Sequence, residues 1–365
     1  MHRRIAYPII FLVTLLLVVV SYNIASIWVD PFGIVRPQQT KPARLWGDAR
    51  RYLVVEHLRE HQDEYQGFII ANSRGYFLSA STATQHSKLN FYNMSFSAET
   101  LYGYADHVRW LLKAQRPQSI IILLSFDQFS MGDSRKLTLV TREHPAVSGE
   151  SWLTYYFAFA NDLPTVLLHN NLSDALYLGH RVFANLMPGL GQYVSPYGAV
   201  VTNCCNTDIS TGDIHGWSAS PSSMKGDPGP WGAAPKSETR DAEFGDGARA
   251  HELDQTLRVY WTAPFDAGAV AGFQGMMANV KKSHTQFSCV VAPISARALR
   301  FVDPERYVRW LAMLVRECGS IWDFSDRNSI TANKDNYLDW SHFLAPVGNL
   351  VLQRIFRIQI GRAHV

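Results

Sequence analysis

Ser73 lies in Asn72-Ser73-Arg74-Gly75, directly after Phe68-Ile69-Ile70-Ala71. Four apolar residues in a row read as a short strand buried on both faces, and the small polar turn after them marks its carboxyl end. Ligands meet an open α/β sheet at that end of its strands. A serine placed there can act as a nucleophile if a base stands within reach. Its competing role is to cap the helix that follows. Asp339 and His342 offer the matching chemistry. They stand three apart in Asn336-Tyr337-Leu338-Asp339-Trp340-Ser341-His342-Phe343, so a turn or helix start puts them on one side. A carboxylate beside an imidazole fixes its tautomer and stabilises its charged form, as serine hydrolysis requires. Among the histidines of the chain, only His342 has an aspartate three positions before it. Taken alone, the pair also fits a helix-start aspartate beside a surface histidine.

Three blocks together resemble the SGNH (GDSL-like) hydrolase superfamily, in particular its membrane-anchored, envelope-facing branch. Asn72-Ser73-Arg74 stands where that branch often carries G-S-S-R or G-N-S-R. Tyr92-Asn93-Met94-Ser95-Phe96-Ser97-Ala98 resembles its second block, Y-N-L-S-x-S-G. Asp323-Phe324-Ser325, followed by Asn336 to Phe343, resembles its closing D-F-S…Y-x-D-x-x-H-F. The resemblance covers most of residues 30–356, apart from a middle insertion. It implies a three-layer α/β/α sandwich with a central parallel sheet and a Ser73, His342, Asp339 triad that needs no cofactor and no metal. It also implies an oxyanion and substrate-binding rim that takes in Ser97 and Ala98, with the backbone N–H groups of Ser73 and Ala98 as donors. Two positions depart from the pattern. The block-two glycine is Ala98, and Ser125-Phe126-Asp127-Gln128-Phe129 stands where the third-block asparagine is expected. Arg74 either anchors substrate through its planar donor fork or forms a salt bridge. Asp127 sits at the ligand edge, where a structural cap is the competing role. Trp217, Trp231 and Trp340 offer aromatic faces to sugar rings or pack in the core or a lid, and His215 lies in the insertion.

The function expected from the resemblance is a membrane-tethered, extracytoplasmic O-acyl (acetyl) transferase or esterase. Its partners would be a cell-envelope polysaccharide, an acyl donor and a membrane-bound acyltransferase. A second expectation is a catalytically degenerate protein of the same fold that binds glycan or scaffolds a polysaccharide-modifying complex. A third is a plain membrane-anchored α/β domain in which Ser73 and His342 are incidental.

Composition narrows the classes. A chain of 365 residues suffices for one large domain or two modest ones. A net charge of +3 argues against nucleic acid as a partner, because such domains concentrate a basic face. The four cysteines, Cys204, Cys205, Cys289 and Cys318, form no C-x-x-C, which argues against a zinc or thioredoxin-type site. The adjacent pair is ill placed to bond to itself, and either member could pair elsewhere in an oxidising compartment. The sequons at Asn93 and Asn171 matter only in a glycosylating pathway.

The elements that must position these groups follow in order. Arg3 and Arg4 precede an uncharged run, Ile5 to Val29, of the length a bilayer span needs. The basic flank predicts a cytoplasmic N-terminus and an extracytoplasmic remainder, with the single span in the inner membrane and the main domain in the periplasm. A cleaved signal peptide is the rival, but bulky Tyr22, Ile24, Ile27 and Trp28 follow the apolar core. Residues 30–66 read as a proline-containing lead-in and a helix over Ala49–Tyr65; residues 67–356 read as the α/β domain. Strands are expected at Phe68–Ala71, Phe91–Phe96, Ser119–Phe126, Phe287–Ile294 and Ser320–Phe324. Helices are expected at Thr100–Ala114, Asp162–Leu186, His251–Thr262, Gly268–Lys282, Pro304–Glu317 and Phe343–Phe356, with Tyr307, Val308, Leu311, Leu314 and Val315 facing the core. This alternation implies a parallel sheet with right-handed crossovers. About 195–247 is rich in Gly, Pro, Ser and Asn and reads as a long insertion. Ile360-Gly361-Arg362-Ala363-His364-Val365 is what a sequencing-adapter read, ATCGGAAGAGCACACGTC, would encode, so 360–365 are set aside as a sequence artefact.

Overall fold

The computed structural model describes residues 2–29, 50–133, 141–161 and 261–357, with the short stretches 206–207, 214–215, 254–255 and 258–259. The lead-in at 30–48, the helix at 162–186 with the Asn171 sequon, most of the 195–247 insertion with Cys204, Cys205, Trp217 and Trp231, and 360–365 lie outside the described residues.

Helix α1 (His2–Val29) contains an 18-residue apolar window, Tyr7–Ile24, of mean hydropathy 2.2 and no burial. It is long and apolar enough to cross a membrane. The domain then runs α2 (Arg50–Glu60), β1 (Gly67–Ala71), a 3-10 turn (Ser73–Phe77), α3 (Ala80–Ser87), β2 (Phe91–Ser95), α4 (Leu101–Ala114) and β3 (Ser119–Leu124). A second 3-10 turn (Phe126–Ser130), α5 (Pro145–Ser148) and α6 (Trp152–Asn161) follow, then a two-stranded antiparallel pair, β4 (Asn206–Thr207) and β5 (Ile214–His215). The chain closes with α7 (Ala267–Lys282), β6 (Gln286–Val291), α8 (Pro304–Cys318), β7 (Ile321–Asp323) and α9 (Ala345–Arg357).

The five long-range strands form one parallel sheet in the order β2-β1-β3-β6-β7. The chain steps from β1 to β2 on one side, then returns to place β3 on the other side of β1. The carboxyl end of β1 is therefore a topological switch point, where open α/β sheets bind ligands. Ser73 stands there.

Alternate strand residues enter two separate apolar clusters. Phe68, Ile70, Tyr92, Met94, Ile120, Ile122 and Leu124 pack with α2, α4, α7 and α8. Ile69, Ala71, Phe91, Ile121, Leu123 and Val290 pack with α3 and α9. Both faces being apolar explains why these strands read as unbroken hydrophobic runs. Helix α4 is capped by Thr100, which accepts from Gly103 N–H, and buries Leu101, Tyr104, Val108 and Leu111 against the sheet. One face was misread. On α8 the buried residues are Trp310, Leu314 and Cys318, with Tyr307 and Leu311 partly covered, while Val308 and Val315 are 63% and 44% exposed. The core stripe follows 307, 310, 311, 314 and 318, a helical period that the apolar valines obscure. Cys318 at the end of α8 is disulfide-bonded to Cys289 of β6, a pairing the sequence did not single out.

Two glycines permit the close contact of α9 and the Ser73 turn with their neighbours. A Cβ on Gly75 would stand 2.1 Å from Ala71 Cβ and 2.3 Å from Ser95 Oγ. A Cβ on Gly348 would meet the backbone oxygen of Phe77 at 1.9 Å. Backbone cannot swing aside as a side chain can, so Gly348→Ala should force α9 off the turn. We expect a loss of about 1–3 kcal/mol, read as a lower urea midpoint at unchanged slope. A wild-type midpoint would show that this packing is not close.

Candidate active site

The turn that carries Ser73 is capped by its neighbour. Asn72 accepts the Arg74 N–H at 3.0 Å, and Ser79 caps α3. Ser73 is thus not a cap, which removes the competing role. Its Oγ lies 2.8 Å from His342 Nε2. His342 Nδ1 lies 2.6 Å from Asp339 Oδ2. An ionised carboxylate only accepts, so Nδ1–H donates to Asp339, Nε2 is left as acceptor, and the Ser73 hydroxyl donates to it.

Asp339 divides its two oxygens. Oδ1 accepts the N–H groups of Ser341 and His342 at 2.7 and 2.8 Å and the Ser341 hydroxyl at 3.1 Å. Oδ2 takes the imidazole. Burial pushes the Asp339 carboxyl up, but the His342 contact and these donors outweigh it and hold the group well below the usual carboxylate range. His342 precedes α9 rather than starting it. Its carbonyl accepts Leu338 N–H at 2.8 Å, Tyr337 and Phe343 form a bridge, and Ser295 Oγ holds the Trp340 carbonyl at 2.8 Å.

Arg74 is buried, at 4% exposure, and grips Asp127 with two bonds of 2.8 and 2.9 Å. It also donates to Ser125 Oγ, and its guanidinium lies 5.7 Å from the Trp340 ring centroid. Of its two expected roles, the salt bridge is the one found; the fork faces Asp127. Asp127 in turn is not a cap, since Ser125 and Gln128 form the capping box of that turn. Burial raises the Asp127 carboxyl, and the Arg74 contact more than offsets it, leaving it lowered. The pair joins the turn after β1 to the turn after β3.

Ser97 and Ala98 are exposed, in the loop after β2. Ala98 has φ +52°, the left-handed region that a glycine enters freely. The loop therefore keeps a glycine-like bend at the position where the resembled block has glycine. The N–H groups of Ser73 and Ala98 take no hydrogen-bond partner among the described residues. Asn93, of the same block, is fully buried in β2; its side chain donates to the carbonyls of Gly75 and Leu78 and ties the two blocks together.

Beneath these loops lies a charged cluster that sequence reasoning missed. Arg50 donates to the carbonyls of Ser95 and Asn93 at 3.1 and 3.3 Å. Arg51 donates to the Ser97 carbonyl at 3.0 Å and to the carboxylates of Glu99 and Glu143. His107 Nε2 stands 2.7 Å from Glu143 and 3.5 Å from Glu99, in ion-pair contact without hydrogen-bond alignment. Glu99, His107 and Glu143 have the spacing of metal ligands. Arg51 already occupies both carboxylates, however, and a cation would have to displace it. Nothing in the sequence marks these residues: Arg50, Arg51 and His107 lie on helices, where charge ordinarily reads as a solvated face, and Glu99 and Glu143 lie in connecting segments, where charge is equally ordinary.

No protein-family model matches the chain, and no curated protein matches it.

The cluster makes stability depend on pH. Burial lowers His107, but Glu143 and Glu99 overcome it and raise the group to about 9. A raised folded pKa gives stabilisation that is full below the unfolded value of about 6.5 and is lost as pH rises through about 9. The gap in urea stability between wild type and His107→Gln should therefore be larger near pH 6 than near pH 10. An equal gap at both would show that His107 is not held charged.

Proposed function

We propose that the chain is a membrane-tethered, extracytoplasmic serine O-acyltransferase or esterase of the SGNH kind, acting on acyl (acetyl) groups of cell-envelope polysaccharide. The observation that carries this is the unbroken line Ser73 Oγ, His342 Nε2, His342 Nδ1, Asp339 Oδ2, with contacts of 2.8 and 2.6 Å. Its placement at the switch point of a parallel sheet supports the same reading, under which the sheet and its two helical flanks form a three-layer α/β/α sandwich. Ser73 attacks the acyl carbonyl while His342 takes its proton, and His342 returns the proton to the leaving oxygen. The acyl group then passes to water or to a sugar hydroxyl. Asp339 stabilises the imidazolium. Ser73 N–H, first of its turn and without an internal partner, and Ala98 N–H are the donors for the oxyanion. α1 supplies the tether, and the Cys289–Cys318 disulfide supports an oxidising compartment. The polysaccharide substrate and a membrane-bound acyltransferase partner rest on the family resemblance.

A second reading, a catalytically degenerate glycan-binding or scaffold protein, is favoured by one observation. Asp127 replaces the third-block donor and is engaged by Arg74, and losing one oxyanion donor typically costs ~10²–10³ in rate.

Labelling by a serine-reactive fluorophosphonate separates the two. The wild type should be labelled and Ser73→Ala should not. Turnover of a short aryl ester should fall on the order of 10⁴-fold or more in Ser73→Ala and in His342→Ala, with the double variant little worse. Asp339→Asn should cost less than either. An unlabelled wild type with no turnover would leave the scaffold reading.

A further inference from the structure

Helix α6 carries no charged side chain in Trp152-Leu153-Thr154-Tyr155-Tyr156-Phe157-Ala158-Phe159-Ala160-Asn161. Leu153 is 71% exposed, and Trp152 and Phe157 are 47% exposed each. Leu153 and Phe157 are four apart and form one stripe. Trp152 stands between that stripe and the domain, its half-exposed ring edge-on to those of Tyr52 and His144 at 6.2 and 5.1 Å. The other side of the helix is fixed. Tyr155 is fully buried, its ring stacked 6.2 Å from that of Tyr52 and packed on His144. α6 cannot roll to hide Leu153 and Phe157 without pulling Tyr155 out of the domain.

The position of α6 says what this stripe meets. α6 is in contact with α1. Along the apolar window of α1 every side chain is exposed except Tyr22 and Asn23, which are partly covered. The cover therefore lies at the domain end of the span, away from Arg3 and Arg4. There a membrane helix passes from hydrocarbon into headgroups, the depth that aromatic residues prefer. An uncharged Trp/Leu/Phe stripe is misplaced in water and suited to that boundary. Phospholipid is also the one surface present wherever α1 is inserted.

We propose that α6 is an interfacial helix, a second membrane contact that seats Trp152, Leu153 and Phe157 among headgroups and upper acyl chains beside α1. The proposal rests on the reading of α1 as a membrane span. Two points of attachment, unlike one, fix which side of the domain faces the lipid.

The test uses the full chain in nanodiscs of phosphatidylethanolamine and phosphatidylglycerol, with no other protein present. Benzoyl-phenylalanine replaces one residue at a time at 18, 153, 157 or 308. Irradiation should give a phospholipid adduct, read by mass, at 18, 153 and 157 and none at 308. An adduct at 18 alone would overturn the interfacial helix and leave the span standing, and would assign the stripe to a protein partner. No adduct even at 18 would overturn the span and the proposal with it. Adducts at all four positions would show unselective lipid contact and overturn the proposal.

Discussion

Three buried guanidinium groups hold the carboxyl edge of the sheet together. An arginine cannot shed its charge, so burying it costs several kcal/mol unless its N–H groups find acceptors. Here the acceptors belong to other loops. Arg50 reaches the backbone at the end of β2, Arg51 reaches the loop beyond it and two carboxylates, and Arg74 reaches the turn after β3. The turns after β1 and β3 can separate only by stranding Arg74, and the loop after β2 can leave α2 only by stranding Arg50 and Arg51, in an apolar surround. Ser73 sits next to Arg74 and inherits that rigidity. On the proposed reading Ser73 is a nucleophile, which has to be held to fractions of an ångström to meet its base, and this ionic lattice is what holds it.

Much of this was legible from residue order, for reasons that differ between elements. Strands β1 and β3 announced themselves because both faces are covered, so Phe68–Ala71 and Ile120–Leu124 contain no polar residue. The contact of Ser73, His342 and Asp339 was legible because D-x-x-H occurs once, and because a serine after a buried strand has few reasons to be there. Element ends were the least legible part: the strand expected over Ser119–Phe126 stops at the Ser125 cap, the strand expected to Ile294 ends at Val291, and the helix expected over Ala49–Tyr65 ends at Glu60. The face of α8 was misread because Val308 and Val315 are apolar yet exposed, while Trp310 and Cys318 carry the packing. The arginine lattice was not legible at all. Glu99 and His107 are neighbours in the chain, but Arg51 is 48 residues from Glu99 and 92 from Glu143, and the group meets only in the fold.

The site pairs a complete proton path with an unusual acceptor side. In the resembled blocks a glycine bends the second loop and an asparagine donates from the third. Ala98 keeps the bend at a cost of roughly 1 kcal/mol, the usual penalty for a side chain at left-handed φ. The third loop of this chain offers Asp127, whose charge is balanced by Arg74. That loop presents an acceptor rather than a donor, and it braces the turn that carries Ser73.

The distance along the chain between Ser73 and His342, 269 residues, bears on how the protein matures. A chain made from its N-terminus completes β1, β2 and β3 long before the segment with the base exists. Until β6, β7 and α9 dock, the serine is an ordinary alcohol with no acceptor for its proton. On the proposed reading, reactivity arrives only with the last part of the fold, and truncated or half-folded chains carry an inert hydroxyl.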